Sequence, residues 1–448
     1  MKVTLKPLAD QVVVITGATS GIGLATARSA ARQGARLVLA ARSEAALGQL
    51  VQEITAAGGK AVSVVADVAK EADSAAIAAA AQQAFGGFDT WINNAGTGMY
   101  GRVDRVSIED MRKLFEVNFW GVVYGSREAA RHLKQSGGGA IINLGSEVSE
   151  RSVPLQGIYA ASKHAIKGFT EALRMELEEE GAPVSVTLVK PAQINTPFTV
   201  NAKNYLSSEP VHVPKVYAAE VVASAILQSA VKPVREVYAG GGGRLVAAMG
   251  HFAPGLTDLI MEKMVIPGTP SGNAPRRARD KSGLDVPTEN LTVMGNYPGK
   301  VAQTSLYTQA ALHPAIAGAV AVGLGMMVYR LFAGGGTHRP IKMEGSRGGR
   351  TEKALHIRLE ARRGKERQVA ALLDGIRRDV ERESGTGPWF AVRLSRRVFG
   401  VFERFPNEAG RKAHLTGRGA ARLMARSNAL LAKPAVISKL DIIGRKAV

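Results

Sequence analysis

Tyr159 and Lys163, in the run Tyr159-Ala160-Ala161-Ser162-Lys163, stand four residues apart and share one face of a helix. A phenol titrates near 10 and is a poor acid or base at neutral pH. An adjacent ammonium favours the phenolate and lowers that value. Such a pair suits delivery of a proton to a carbonyl oxygen as hydride reaches the carbon. Ser146 lies thirteen residues before Tyr159, just beyond an apolar run ending at Leu144. Its hydroxyl can hydrogen-bond the same oxygen.

A second set of residues suits anion binding. The apolar run Val12–Thr16 leads into Gly17-Ala18-Thr19-Ser20-Gly21-Ile22-Gly23 and then into a helical pattern. Glycines let the backbone approach a diphosphate, and the helix N-terminus offers free N–H groups and a favourable dipole. The spacing is G-x-x-x-G-x-G rather than G-x-G-x-x-G. The next apolar run ends Leu39-Ala40-Ala41-Arg42, with no carboxylate for a ribose 2′-hydroxyl. Arg42 can pair with a 2′-phosphate through its fork, so the expected cofactor is NADP(H) rather than NAD(H).

These groups need strands and helices to hold them. Strands are expected at Val12–Thr16, Arg36–Ala40, Ala61–Ala66, Thr90–Asn93, Ala140–Leu144, Val184–Val189 and Glu236–Ala239. Several are unbroken Val/Ile/Leu runs, as strands buried on both faces require. Helical patterns separate them. The expected fold class is α/β, a doubly wound parallel sheet.

At 448 residues the chain is too long for one compact domain, and 46% hydrophobic residues exclude global disorder. The absence of cysteine excludes disulfides, thiolate metal sites and a cysteine nucleophile. No metal site is expected. Met1 to Pro7 holds two lysines and no apolar stretch, so no secretory signal and a cytoplasmic location are expected. The net charge of +20 is uneven: residues 334–448 hold 26 Lys+Arg against 11 Asp+Glu, a net +15. That is the charge of a nucleic-acid or acidic-lipid surface, or of a solvated arginine-rich face.

The expected domains are 1–266 for the nucleotide-binding unit with a helical extension, 267–313 for a linker, 314–332 for an apolar helix, 333–350 for a second linker and 351–448 for a last domain. The stretch 314–332 is near the length of a membrane span. A spanning orientation would put the nucleotide-binding unit on the side away from its cofactor. A helix set in one leaflet of the cytoplasmic membrane face, or buried in protein, is expected instead. The last domain reads β-α-β-β-α-β, with its second helix over Asn407–Ala432, a ferredoxin-like order.

Residues 8–240 resemble the short-chain dehydrogenase/reductase family. The resemblance rests on Thr16–Gly23, Asp67-Val68, Asn93-Asn94-Ala95-Gly96, Asn118, Ser146, Tyr159-x-x-x-Lys163 and Pro191 to Thr196, in the family's order. It implies a Rossmann sheet and a catalytic tetrad of Asn118, Ser146, Tyr159 and Lys163. It implies that Gly17, Thr19, Ser20, Gly21, Ile22, Gly23, Arg42, Asp67, Val68, Asn94, Ala95, Gly96, Pro191 and Thr196 bind cofactor with Tyr159 and Lys163. Asp67 would meet the adenine, Asn118 would hold a water relaying protons to Lys163, and Thr196 would touch the carboxamide. Ala192 stands where the family usually has glycine. The walls of the substrate pocket are expected in 97–105, 147–158 and 193–215. Met99, Val153, Leu155, Phe198 and Tyr205 give that pocket an apolar character, or are ordinary loop packing.

Residues 351–445 resemble the antibiotic-biosynthesis-monooxygenase-like family, a dimeric α+β barrel. The residues that carry this are Trp389-Phe390-Ala391-Val392, Gly400 to Phe405, Asn407 to Arg411, Ala413-His414-Leu415 and Pro434 to Ile437. Trp389 and His414 fall where some relatives carry pocket residues. Few aromatics accompany the arginines, so no nucleic-acid partner is expected. The expected function is an NADP(H)-dependent oxidoreductase acting on a small-molecule carbonyl or secondary alcohol, in a homo-oligomer. The alternatives are a second, quinol- or aromatic-oxidising activity in the last domain, or a last domain that only dimerises or senses a ligand.

Overall fold

The computed structural model describes residues 3–212, 215–289, 291–312, 353–383 and 386–441. The chain divides into two compact units, Met1–Ala333 and Gly334–Val448. The first is built on seven strands: β1 Val12–Thr16, β2 Arg36–Ala41, β3 Lys60–Val65, β4 Thr90–Asn93, β5 Gly139–Leu144, β6 Val184–Pro191 and β7 Glu236–Ala239. They form one parallel sheet in the order β7-β6-β5-β4-β1-β2-β3. β1, β5 and β6 are buried at every position, which only a sheet covered on both faces allows. The order reverses between β1 and β4, so a crevice opens at their C-terminal ends.

Helices α1 Gly21–Arg32, α2 Glu44–Ala56, α3 Glu71–Phe85, α4 Ile108–Phe115, α5 Gly121–Gln135, α6 Gly157–Glu179 and α7 Ala219–Val231 cover the two faces. Alternate β1 side chains point to different cores. Val13 and Ile15 meet Leu24 of α1 and Ile226 of α7. Val12 and Val14 meet Ile77 of α3 and Leu133 of α5. Each such fully buried side chain contributes about 1.5–3 kcal/mol. Ser43 and Ser107 cap α2 and α4, their hydroxyls accepting from the N–H groups of Ala46 and Asp110. A π-helical turn, Glu116–Trp120, joins α4 to α5 and carries Asn118. The sequence pattern gives no sign of this wide turn, a form common at functional positions.

Beyond β7, α8 Gly242–Phe252 and α9 Pro254–Ile260 lead into a stretch with little regular structure. That stretch returns to the first unit. Val301–Ala302 pairs with Val216–Tyr217, and the Thr292 carbonyl accepts from the N–H of Gly21 at 2.9 Å. Leu284 is buried beside Met99 and Tyr159. Among the described residues no helix is long and apolar enough to cross a membrane. The expected apolar helix 314–332 lies outside the described residues.

In the second unit, β8 Lys353–Glu360, α10 Glu366–Val380, β9 Trp389–Arg393, β10 Val398–Phe405, α11 Glu408–Leu415, α12 Arg418–Leu430 and β11 Val436–Asp441 follow in turn. The sheet is antiparallel in the order β9-β10-β8-β11. The single helix expected over 407–432 is two helices. Gly417, with φ −77° and ψ 178°, is extended and caps α12. One face of the sheet buries Ile357, Leu359 and Val401 against Val369 and Leu373 of α10. The opposite face leaves Phe390, Val392, Phe402, Val436 and Leu440 exposed.

Candidate active site

The turn after β1 is shaped as a cradle. Gly17 has φ +65°, a conformation that L side chains rarely adopt. Gly23 is fixed by space, since a Cβ there would stand 2.1 Å from the Gly17 carbonyl oxygen. Asn94 ties the cradle to β4: its Nδ2 donates to the carbonyls of Thr16 at 2.9 Å and Gly17 at 3.1 Å. Thr16 Oγ1 accepts from the N–H groups of Asn94 and Ala95. The N-terminus of α1 opens directly onto this turn.

Gly17, Thr19, Ser20, Gly21 and Ile22 line a cavity of about 310 Å³. Arg42, Asp67, Val68, Asn94, Ala95 and Gly96 continue its wall. Ser146, Tyr159, Lys163, Pro191 and Thr196 line it too, Thr196 lying beside Gly21. Glycine cradle, helix N-terminus and long cleft together fit a dinucleotide. Gly23 shapes the turn without lining the cavity, and Asp67 bonds locally, its Oδ1 accepting from the N–H of Ala69.

α6 places Tyr159 and Lys163 on one buried face. Lys163 Nζ lies 5.8 Å from the centre of the Tyr159 ring and donates to the Leu144 carbonyl at 2.8 Å. Ser146 is held by a reciprocal cap: its Oγ accepts from the Val148 N–H, and Ser149 Oγ accepts from the Ser146 N–H. Burial pushes the Tyr159 hydroxyl far above its ordinary range, while a hydrogen bond with Ser146 pulls the other way. Burial alone lowers Lys163 to about 8. The expectation that the ammonium pulls the phenol down is therefore reversed in this geometry, because desolvation dominates. The phenol is held in its protonated form.

Asn118 is fully buried and does not line the cavity. Its Nδ2 donates to the Thr97 carbonyl at 2.9 Å and to Ser162 Oγ at 3.2 Å, and its Oδ1 accepts from the Thr97 N–H at 2.9 Å. The amide thus clamps the Thr97 backbone next to Gly96. Val153 and Phe198 line the cavity, and the Phe198 ring lies 5.3 Å from that of Tyr159. Met99, Leu155 and Tyr205 do not line the cavity; Met99 and Tyr205 pack in the apolar cluster that holds Tyr159, and Tyr205 donates to Asp110 Oδ2 at 2.5 Å.

Glu147, directly after Ser146, lines the cavity within the wall expected at 147–158, though its acid side chain is not among the expected site residues. One contribution went unread in the sequence. Gly283, Pro287 and Thr288 line the cavity from the returning stretch. No local pattern marks them.

Comparison with known proteins places this geometry. The short chain dehydrogenase family matches residues 11–206. An uncharacterised oxidoreductase, YxnA, of Bacillus subtilis (strain 168) is 44% identical over 325 residues, covering 72% of this chain and 91% of the relative. A 3beta-hydroxysteroid dehydrogenase 1 from Eggerthella lenta is 37% identical over 204 residues, 45% of this chain and 77% of that one. A crystal structure of a short chain dehydrogenase/reductase from Burkholderia phymatum in complex with NAD is 29% identical and has a TM-score of 0.51. The match covers 61% of this chain and 99% of that one.

Proposed function

The chain belongs to the short-chain dehydrogenase family of oxidoreductases, and from that premise we propose that it moves hydride between NADP(H) and the carbonyl or secondary alcohol of an apolar substrate. One observation carries the reading: the glycine cradle and the group Ser146, Tyr159 and Lys163 line one and the same cavity. Arg42 on the cofactor wall, with no carboxylate at the end of β2, supports the 2′-phosphate form. When bound, the cofactor supplies or accepts the hydride. In reduction Tyr159 gives its phenolic proton to the carbonyl oxygen. Ser146 donates to the same oxygen and orients it. Lys163 restores the proton, and Asn118 keeps the Thr97 backbone, in the loop after β4, in place beside Gly96. Val148, Val153 and Phe198 support an apolar substrate, and a relative named as a hydroxysteroid dehydrogenase supports a bulky alicyclic one.

Oxidation of NADPH and NADH over ketones, aldehydes, quinones and steroids tests this. The expected result is turnover that prefers NADPH and falls by about 10²–10⁴ in Tyr159→Phe. Tight NADPH binding without turnover of any carbonyl would count against it.

For residues 351–448 the reading is a ferredoxin-like domain of the monooxygenase-like type that dimerises rather than catalyses. The exposed apolar sheet face of Phe390, Val392, Phe402, Val436 and Leu440 supports this. His414 supports it too, since both its ring nitrogens lie against carboxylates, those of Glu383 and Glu403. Sedimentation of the full chain should give a dimer, and Phe402→Asp should give monomers. Oxygen uptake with a quinol or aromatic would favour a second enzyme instead.

A further inference from the structure

Glu147 is an acid that the proposed chemistry leaves unused. It opens the short turn Glu147–Ser149, which Ser146 and Ser149 hold together without any help from its carboxyl. The carboxyl has no hydrogen bond or ion pair with any described residue, and Glu147 lines the cavity. Among the described lining residues the only other acid is Asp67. Lys163, a cation of the same cavity, turns its Nζ to the Leu144 carbonyl. Neighbouring wall residues Val148 and Val153 are apolar.

Glu147 is partly buried and faces the cavity, so an unpaired carboxyl there is open to a ligand's hydrogen-bond donor. Burial pushes Glu147 up to about 7. Glu147 directly follows Ser146, whose hydroxyl is hydrogen-bonded with Tyr159, and all three line the same cavity. A ligand that donates a hydrogen bond here would supply the missing partner.

We propose that Glu147 is a substrate-recognition residue, its carboxyl accepting a hydrogen bond from a hydroxyl or protonated amine carried near the carbon that Tyr159 and Ser146 serve. The inference rests on the reductase reading above and narrows its substrates to hydroxy or amino ketones and the matching alcohols. An apolar cavity rejects such polar compounds weakly, but an acceptor set in the cavity wall to pair with a hydroxyl or ammonium discriminates against analogues that lack the donor.

Three probes with one carbon skeleton test it: cyclohexanol, cyclohexane-1,2-diol and 2-aminocyclohexanol. Wild type, Glu147→Gln and Glu147→Ala are each loaded with NADP⁺, and two readouts are taken, kcat/KM for oxidation and the rise in melting temperature on binding. Wild type should favour the diol or the amino alcohol over cyclohexanol by at least about tenfold. Glu147→Ala should bring that ratio close to one. Glu147→Gln separates the two donors: its amide oxygen still accepts from a hydroxyl, whereas the advantage of an ammonium is lost with the charge. A wild-type ratio near one, or a ratio kept in Glu147→Ala, overturns the proposal. Failure of the reductase reading is distinct: none of the alcohols is oxidised although NADPH binds. The melting shifts then decide, a larger shift for the diol or amino alcohol in wild type than in Glu147→Ala upholding recognition and equal shifts overturning it.

Discussion

Arg42 Nη2 donates to the Gly283 carbonyl at 2.5 Å, across 241 residues of sequence, and also to the Val286 carbonyl at 3.2 Å. The end of β2 and the returning stretch are thereby tied together at the wall of the cavity. Asp285 anchors the same stretch through Lys203 Nζ at 2.8 Å. Three N–H donors of the guanidinium, on Nε and Nη1, are left by these bonds.

This arrangement makes Arg42 the first position to test for cofactor choice. Arg42→Ala should weaken NADPH binding by about tenfold or more, the scale of one or two charge-assisted hydrogen bonds. NADH binding should change far less, since it has no 2′-phosphate. Fluorescence titration of both cofactors measures this. Equal losses would remove Arg42 from 2′-phosphate recognition. The variant should also loosen the returning stretch, read as faster tryptic cleavage at Arg276, Arg277, Arg279 and Lys281.

Lys163 gives a pH dependence. Burial lowers its amine to about 8, so the ammonium is present at pH 7 and is lost as pH rises past 8. The phenol of Tyr159 stays protonated throughout that range. Carbonyl reduction should therefore decline above pH 8 through Lys163 rather than Tyr159. Lys163→Arg, which stays charged, should shift that decline upward at a lower rate, and Lys163→Met should abolish turnover. A profile flat from about pH 7 to 9.5 would contradict the assignment.

What could be read in advance was local. Tyr159 and Lys163 needed only one helix turn, and Gly17 to Gly23 needed only a strand, a turn and a helix start. The unbroken apolar run of β1 marked it as a strand buried on both faces. Gly283 and Val286 were illegible for the opposite reason, because their stretch has no periodicity and gains its place only by crossing back to Arg42. The π turn under Asn118 breaks no residue pattern. Glu147 stood beside Ser146 in plain sight, but its missing partner is a three-dimensional fact. In the second unit, the residue types of β8 do not tell that it pairs with both β10 and β11.

His414 is the residue whose surroundings most change its reading. Its Nδ1 lies 2.6 Å from Glu383 Oε2 and its Nε2 lies 2.8 Å from Glu403 Oε2. Trp389 Nε1 donates to the other Glu403 oxygen at 2.8 Å. Burial opposes a charged ring, yet the bonds and charges of Glu403 and Glu383 outweigh it and push the pKa up. A raised native pKa means that protonation favours the folded form. The contribution is complete below the unfolded value of about 6.5 and fades as pH rises through the native value. Thermal unfolding of the full chain should therefore show the second unit losing stability as pH is raised from about 6 to 8.5. His414→Gln should lower its stability at pH 6 by about 1–3 kcal/mol, since Glu403 keeps a buried carboxylate without its cation. The variant should also lose most of the pH dependence. If wild type and variant shift equally over that range, the ring is not the titrating group, and the carboxylate pair holds the unit by hydrogen bonds alone.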